Sequence, residues 1–163
     1  MFALAGTARA NSPVFVHTTP DGGQRGTEVA VTINGQRLGG LEEVIFYRAG
    51  ITVSKLEPVS DTQARAVFQI APDCALGEHP LRLRTKLGWT TLHTFWVGPY
   101  REIAEVEPNS DFSAPQKIEL NTTVTGVVKT EDVDYFAVEA KKGQRISVEV
   151  EGVEEPLPVP SGS

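Results

Sequence analysis

The stretch QARAVFQIA, residues 63–71, decides the fold, because small or apolar residues alternate in it with mostly polar ones. Every second side chain from Ala64 to Ile70 falls on one side of an extended chain, and Arg65 and Gln69 fall on the other. This period of two predicts a strand with one face in a core and the other in solvent.

Similar runs recur along the chain, separated by turns. The run EVAVTING, residues 28–35, alternates in the same way and ends in the turn pair Asn34-Gly35. Glycine (15) and proline (11) are abundant, which favours short strands and turns over long helices. Further strands are predicted at 43–47, 51–56, 80–86, 91–97, 117–120, 122–128, 134–140 and 144–151. The predicted fold class is all-β, with two small β-sandwich modules.

The charge is distributed unevenly between the two parts of the chain. Residues 1–98 carry nine Lys and Arg against eight Asp and Glu, a net +1, whereas residues 99–163 carry six against thirteen, a net −7. An acidic second part argues against a nucleic-acid partner, since phosphate binding needs clustered cations. The same acidity is compatible with calcium, which prefers oxygen ligands.

The sequence offers no constellation typical of an enzyme. Its single cysteine, Cys74, excludes an internal disulfide and a cysteine-built zinc site. His17, His79 and His93 lack the spacing of a helical zinc site, and no G-x-S-x-G motif occurs. No run reaches the roughly 18 apolar residues of a membrane span. We therefore expect a non-catalytic protein without a spanning helix.

The N-terminal stretch MFALAGTARA ends in Ala8-Arg9-Ala10, the small-x-small pattern that signal peptidase accepts. The apolar part before it is short and no basic residue precedes it. Residues 1–17 are therefore either the remnant of a secretion signal or an ordinary disordered N-terminus. The first interpretation predicts a secreted, periplasmic or cell-surface location.

The first module carries the ordered segments PDGGQRGTEVAVTINGQRL, VIFY, IAPDCALGEHPLRLRT and TFWVG. In this order they resemble the immunoglobulin-like IPT/TIG domain family, over residues 18–98. The resemblance implies a β-sandwich. A composition shift at GPYREIAEVEP then predicts a linker at residues 99–104.

The second module carries Glu107-Pro108-Asn109, Asp111, DVDYF at 132–136 and AKKGQRISVEVEG at 140–152. This combination resembles the bacterial pre-peptidase C-terminal (PPC) domain family, a β-sandwich appended to secreted proteases and found in collagen-binding modules. Both modules together look like exported multidomain proteins of planctomycete-like bacteria. The family's later strands do not follow, and the tail at 153–163 is proline-rich and predicted to be disordered. Residues 105–152 thus resemble an N-terminal half, which implies either a truncated chain or another domain or chain that completes the sheet.

The stretch EVEPNSDF, residues 105–112, is the strongest candidate for a metal site. Its acidic and amide side chains alternate, so in an extended chain they project to one side and offer the oxygens that Ca²⁺ prefers. The resemblance to collagen-binding PPC members implies calcium ligands at the same positions and before the aromatic strand. The candidate ligands are Glu105, Glu107, Asn109, Asp111 and Asp132, with Asp134 as a further position. In the alternative interpretation, these residues only shape turns.

Four aromatic residues, Trp89, Phe95, Trp96 and Tyr100, are compatible with a binding platform, although packing in the core or at the domain junction is the interpretation that the sequence favours. Alternation places Phe95 and Trp96 on opposite faces. The predicted function is an exported adhesion or accessory targeting module, whose partner is an extracellular protein or polysaccharide matrix. The alternatives are the accessory region of a secreted peptidase whose catalytic domain lies elsewhere, or a fragment without independent function.

Overall fold

The structure is a computed structural model that describes residues 12–126 and 133–150. Within these ranges every regular element is a strand, which confirms the all-β prediction. The strands are β1 (Val14–Thr19), β2 (Gly22–Gln24), β3 (Glu28–Gln36), β4 (Leu41–Phe46), β5 (Ile51–Pro58), β6 (Gln63–Ile70), β7 (Gly77–Thr85), β8 (Gly88–Trp89), β9 (His93–Gly98), β10 (Arg101–Ala104), β11 (Gln116–Ile118), β12 (Thr122–Thr125) and β13 (Phe136–Val138). In the same ranges, no helix has the length and apolarity needed to cross a membrane.

The first nine strands form two sheets that share one core. The first sheet has the order β1-β3-β6-β5, and the second has the order β2-β9-β7-β4 with β8 beside β7. Phe68 from the first sheet meets Phe46 and Phe95 from the second edge to face, with ring centroids 5.0 and 5.2 Å apart. Aromatic rings prefer this geometry, so the trio joins the two sheets into a sandwich.

Alternation along β6 and β7 decides which side chains enter this core. Ala64, Phe68 and Leu83 are among the fully buried residues, as the period of two predicts. The intervening positions of β7, Arg82 and Arg84, lie on the outer face of the second sheet. Residues 71–76, between β6 and β7, form neither strand nor helix.

The N-terminal part differs from the expected disordered segment at 1–17. Val14–Thr19 form β1, which pairs with β3 and buries Phe15 in the core. The burial of the Phe15 ring stabilises this segment as a strand, and the short sequence alternation does not indicate that burial. The Ala8-Arg9-Ala10 motif lies outside the described residues.

The four described strands after β9 form two small parallel sheets. β10 pairs with β12, and β11 pairs with β13. The segment predicted as a linker therefore contains a strand, whose partner lies about twenty residues further along the chain. The strands predicted at 117–120 and 134–140 form as the shorter β11 and β13, and the end of the one predicted at 122–128 lies outside the described residues.

The prediction of a strand at 144–151 is wrong for its described part, since residues 144–150 have no strand pairing. Val148 and Val150, expected to face inward, are 84% and 89% exposed. Alternation supplies an apolar face, but a strand also needs a neighbour for its backbone groups. No described strand lies beside residues 144–150 to pair with them.

Candidate functional site

The outer face of the second sheet brings together three side chains from three strands. Glu43 on β4 lies opposite Arg84 on β7, and Arg84 lies opposite Trp89 on β8. Residues directly opposite each other share a face of the sheet, so the three form a continuous row, here called the Trp89 row. Its aromatic end is open, because Trp89 is 49% exposed.

Two carboxylates hold Arg84 in place. The register of β4 against β7 shifts between Leu41 and Glu43, a bulge that brings Glu42 as well as Glu43 to this arginine. Arg84 Nε donates to Glu43 Oε2 over 3.0 Å, and Nη1 donates to Glu42 Oε2. The hydrogen bond to Glu43, followed by the other interactions with the two glutamates, raises the pKa of Arg84. The guanidinium is therefore fixed and its charge is offset locally.

The next row on the same face contains a second arginine. Arg82 lies opposite Ile45. The Arg82 guanidinium carbon lies 5.9 Å from the ring centroid of Tyr47, which is within cation–π range. Arg82 Nε is shielded from solvent and makes no hydrogen bond within residues 12–126 and 133–150. The face thus presents alternating aromatic and charged groups rather than a continuous apolar patch.

The two adjacent aromatic residues of β9 lie on opposite faces, as alternation predicts. Phe95 is fully buried in the core, whereas Trp96 is half-buried on the outer face, opposite Glu78. Trp89 and Trp96 therefore share one face, and Phe95 belongs to the core. Tyr100 follows β9 and is exposed.

The predicted calcium segment forms a compact turn. Asn109 Nδ2 donates to Glu105 Oε1 over 2.8 Å, and the Asn109 backbone N–H donates to Glu107 Oε2 over 3.3 Å. Asn109 is only 1% exposed, and its Oδ1 has no hydrogen-bond partner among the residues that the structure describes. Buried amide oxygens are normally satisfied, so this atom is a candidate acceptor or ligand.

Asp111 acts within the turn itself. Its Oδ1 accepts hydrogen bonds of 2.8 Å from the backbone N–H and from Oγ of Ser113, and these bonds lower the pKa of the Asp111 carboxyl. This is the local geometry expected if the acidic residues shape turns. The backbone N–H of Tyr135 donates to Asn109 O over 3.0 Å, so the stretch that precedes β13 lies against the segment.

The proposed ligands are brought together only in part. Glu105 and Glu107 each accept a hydrogen bond from Asn109, whereas Asp132 lies outside the described residues. Within residues 12–126 and 133–150, no group of three or more His, Cys, Asp or Glu side chains is placed to hold a metal ion. The calcium site stays a prediction.

The cysteine and histidines have local structural roles. Cys74 Sγ lies 3.5 Å from His79 Nε2, which lies 2.7 Å from Ala75 O. Both side chains are buried, and desolvation raises the pKa of the Cys74 thiol. His93 packs on the Phe15 ring, and burial lowers its pKa. A thiol with a raised pKa is a poor nucleophile, which agrees with a packing role for the buried Cys74.

Comparison with known proteins gives likenesses among solved structures. No protein-family model matches the sequence, and no curated protein matches it. The chain is similar to SGBP-B of the Bacteroides ovatus mixed-linkage glucan utilization locus, solved in complex with a mixed-linkage heptasaccharide. The identity is 21% and the TM-score is 0.37, over 54% of this chain and 24% of that chain. The resemblances to IPT/TIG and PPC domains accordingly stay predictions.

The sequence contains signals for the Trp89 row that periodicity alone does not join. The pattern LRLRT at 81–85 places Arg82 and Arg84 on one face, and Glu42-Glu43 lies at the start of a predicted strand. The missing information is the register between β4 and β7, and the bulge that directs both glutamates to one arginine. Only the pairing of the strands supplies it.

Proposed function

We propose that this protein is a non-catalytic, exported binding module that attaches to an extracellular matrix polymer through the outer face of its second sheet. The observation that carries the proposal is the half-exposed Trp89 ring at the end of a row of fixed charged side chains. Large aromatic residues left in solvent on a rigid scaffold are the groups that most often anchor binding interfaces.

The surroundings of Trp89 favour binding because they are already ordered. Arg84 is held by Glu42 and Glu43, so little side-chain freedom is lost when a ligand contacts it. The row belongs to paired strands, and such a face keeps its shape between free and bound states. Trp89 also loses few rotamers for the large area that it offers.

A sedimentation assay tests this function. The protein is mixed with insoluble cellulose, chitin, β-glucan and fibrillar collagen, and depletion from the supernatant is measured. We expect at least one polymer to retain the protein, with Trp89→Ala weakening binding about 30-fold, the equivalent of about 2 kcal/mol for an interface anchor. Phe112→Ala, which removes an exposed aromatic ring in the second module, is the matched control and should bind as the wild type does. Retention of Trp89→Ala equal to that of the wild type would contradict the proposed surface.

A second candidate property is calcium binding by the Glu105–Asp111 segment, which would stiffen the second module. It is favoured by the buried Asn109 Oδ1, which no described group satisfies, beside the Glu105 and Glu107 carboxylates. Together with Asp111 and Asp132, these groups offer oxygen ligands of the kind that Ca²⁺ binds.

Calorimetric titration with CaCl₂, together with thermal melting, checks this property. Binding to the folded state raises the melting temperature by mass action, so we expect a shift that grows with calcium concentration in the wild type. The shift should be reduced in Asp111→Ala and in Asp132→Ala, and MgCl₂ at the same concentrations serves as the control. A wild-type melt that is unaffected by millimolar calcium would contradict a calcium site and leave the turn-forming role.

A further inference from the structure

Around Trp89, the charged side chains on the outer face of the second sheet offset one another, and Glu78 lies further along the face, opposite Trp96. Arg84 is paired with Glu42 and Glu43, while Arg82 lies over the Tyr47 ring. Two arginines and two glutamates in neighbouring rows leave no net charge at this position. A charged ligand would have to compete with existing ion pairs for its partner, so the face offers it little attraction.

Hydrogen-bonding capacity nevertheless remains next to the exposed ring. Each glutamate uses Oε2 for Arg84, and within residues 12–126 and 133–150 no hydrogen bond engages the Oε1 atoms of Glu42 and Glu43. A carboxylate oxygen accepts from hydroxyl groups, and Arg84 has donors beyond the two that it uses. A ligand with many neutral hydroxyl groups can therefore bind without breaking the ion pairs.

The geometry of the face suits an extended ligand. The second tryptophan of the face, Trp96, is partly exposed and lies opposite Glu78, six residues along β7 from Arg84. At about 3.4 Å per residue, the two tryptophan positions are about 20 Å apart along the strand direction. The surface between them is the outer face of one sheet, so a linear polymer can follow β7 without turning.

From this arrangement we infer that the face between Trp89 and Trp96 binds a neutral polysaccharide. One sugar ring stacks its apolar side on Trp89, and its hydroxyl groups donate to Glu43 and Glu42 and accept from Arg84. The inference rests on the proposed function and narrows its ligand to an uncharged sugar polymer. Aromatic stacking supplies the contact area and the fixed ion pair supplies the orientation.

Affinity electrophoresis in native gels tests the inference with polymers that differ in charge. Hydroxyethylcellulose, barley β-glucan, galactomannan and soluble starch are the neutral probes, and carboxymethylcellulose and diethylaminoethyl-dextran are charged ones. We expect retardation by at least one neutral polymer, changed less than twofold between 50 and 500 mM NaCl because no net charge is engaged. Trp89→Ala should weaken it at least tenfold, and Phe112→Ala should leave it unchanged.

A double variant, Glu42→Gln with Glu43→Gln, separates positioning from stacking. It frees the Arg84 charge while keeping Trp89, so retardation by the neutral polymer should fall and that by carboxymethylcellulose should rise. Retardation only by charged polymers, or neutral binding that Trp89→Ala leaves intact, would overturn the inference. If no polysaccharide binds but collagen does so through Trp89, the inference fails and the proposed function survives. If no matrix polymer binds at all, both fail.

Discussion

Replacing Phe68 with alanine tests whether the aromatic trio holds the two sheets together. Phe68 is fully buried and meets Phe46 and Phe95 at centroid distances of 5.0 and 5.2 Å. Truncation of a buried phenylalanine costs about 3–5 kcal/mol, as transfer free energy plus the cavity left behind. The two edge-to-face contacts, worth about 0.5–1.5 kcal/mol each, place the expected loss towards the upper end.

Guanidinium-induced unfolding measures this loss of stability in the first module. Both tryptophans of the chain, Trp89 and Trp96, lie in the first module, so their fluorescence reports its unfolding alone. We expect the fluorescence midpoint to fall steeply in Phe68→Ala with the slope unchanged. Leu87→Ala removes an apolar side chain from a 61% exposed site in the same module and should cost less than about 1 kcal/mol. A cost for Phe68→Ala no greater than that of the control would refute the assignment of the trio as the inter-sheet core.

Four further substitutions probe individual positions. Burial raises the pKa of Glu102, so this carboxyl holds its proton more tightly in the folded state than in the unfolded chain. The free energy of unfolding should therefore fall as pH rises from the ordinary pKa of a glutamate towards the raised pKa. In melts at a series of pH values, Glu102→Gln should remove this dependence and should be more stable than the wild type at pH 7. The pKa of Asp111 is lowered, so the stability that it contributes is lost as pH falls, and Asp111→Asn should flatten that acid limb, a result contradicted by equal acid sensitivity. In denaturant titrations, Gly50→Ala should lower the free energy of unfolding by about 3 kcal/mol or more, because the φ of Gly50 is +109° and the added Cβ would lie 2.5 Å from Cys74 Sγ. Gly77 has a φ of +92° but open space around it, so Gly77→Ala should show only the backbone cost of about 1–2 kcal/mol.

The strands of the first module are predicted well from sequence where burial is one-sided. In β6 and β7 small or apolar residues occupy every second position, and the structure buries those positions. β1 is missed because its signal is short and its main apolar anchor, Phe15, is recognised only once β3 is placed beside it. The local sequence pattern determines which side chains of a strand face the core, whereas the formation of the strand depends on the strand that pairs with it.

In the second module, alternation alone does not predict which segments pair as strands. ISVEV at 146–150 has clear alternation, yet its described residues remain unpaired and exposed. β10 lies in a stretch that composition marks as a linker, and its parallel pairing with β12 joins segments about twenty residues apart. For the candidate sites, the turn at Asn109 and Asp111 was anticipated as an alternative, but the convergence of Glu42 and Glu43 on Arg84 depends on a bulge that periodicity cannot encode.

The parallel pairing of β2 with β9 has a mechanical consequence when the chain is under tension. Tension that reaches β2 from its N-terminal end and β9 from its C-terminal end pulls the two strands past each other along their length. The flanking bonds from Trp96 N to Asp21 O and from Arg25 N to Gly98 O, both 2.9 Å, lie in the same ladder. All of these hydrogen bonds carry the load together in shear. The β2–β9 pair therefore resists force far better than a pair of strands whose hydrogen bonds break one at a time.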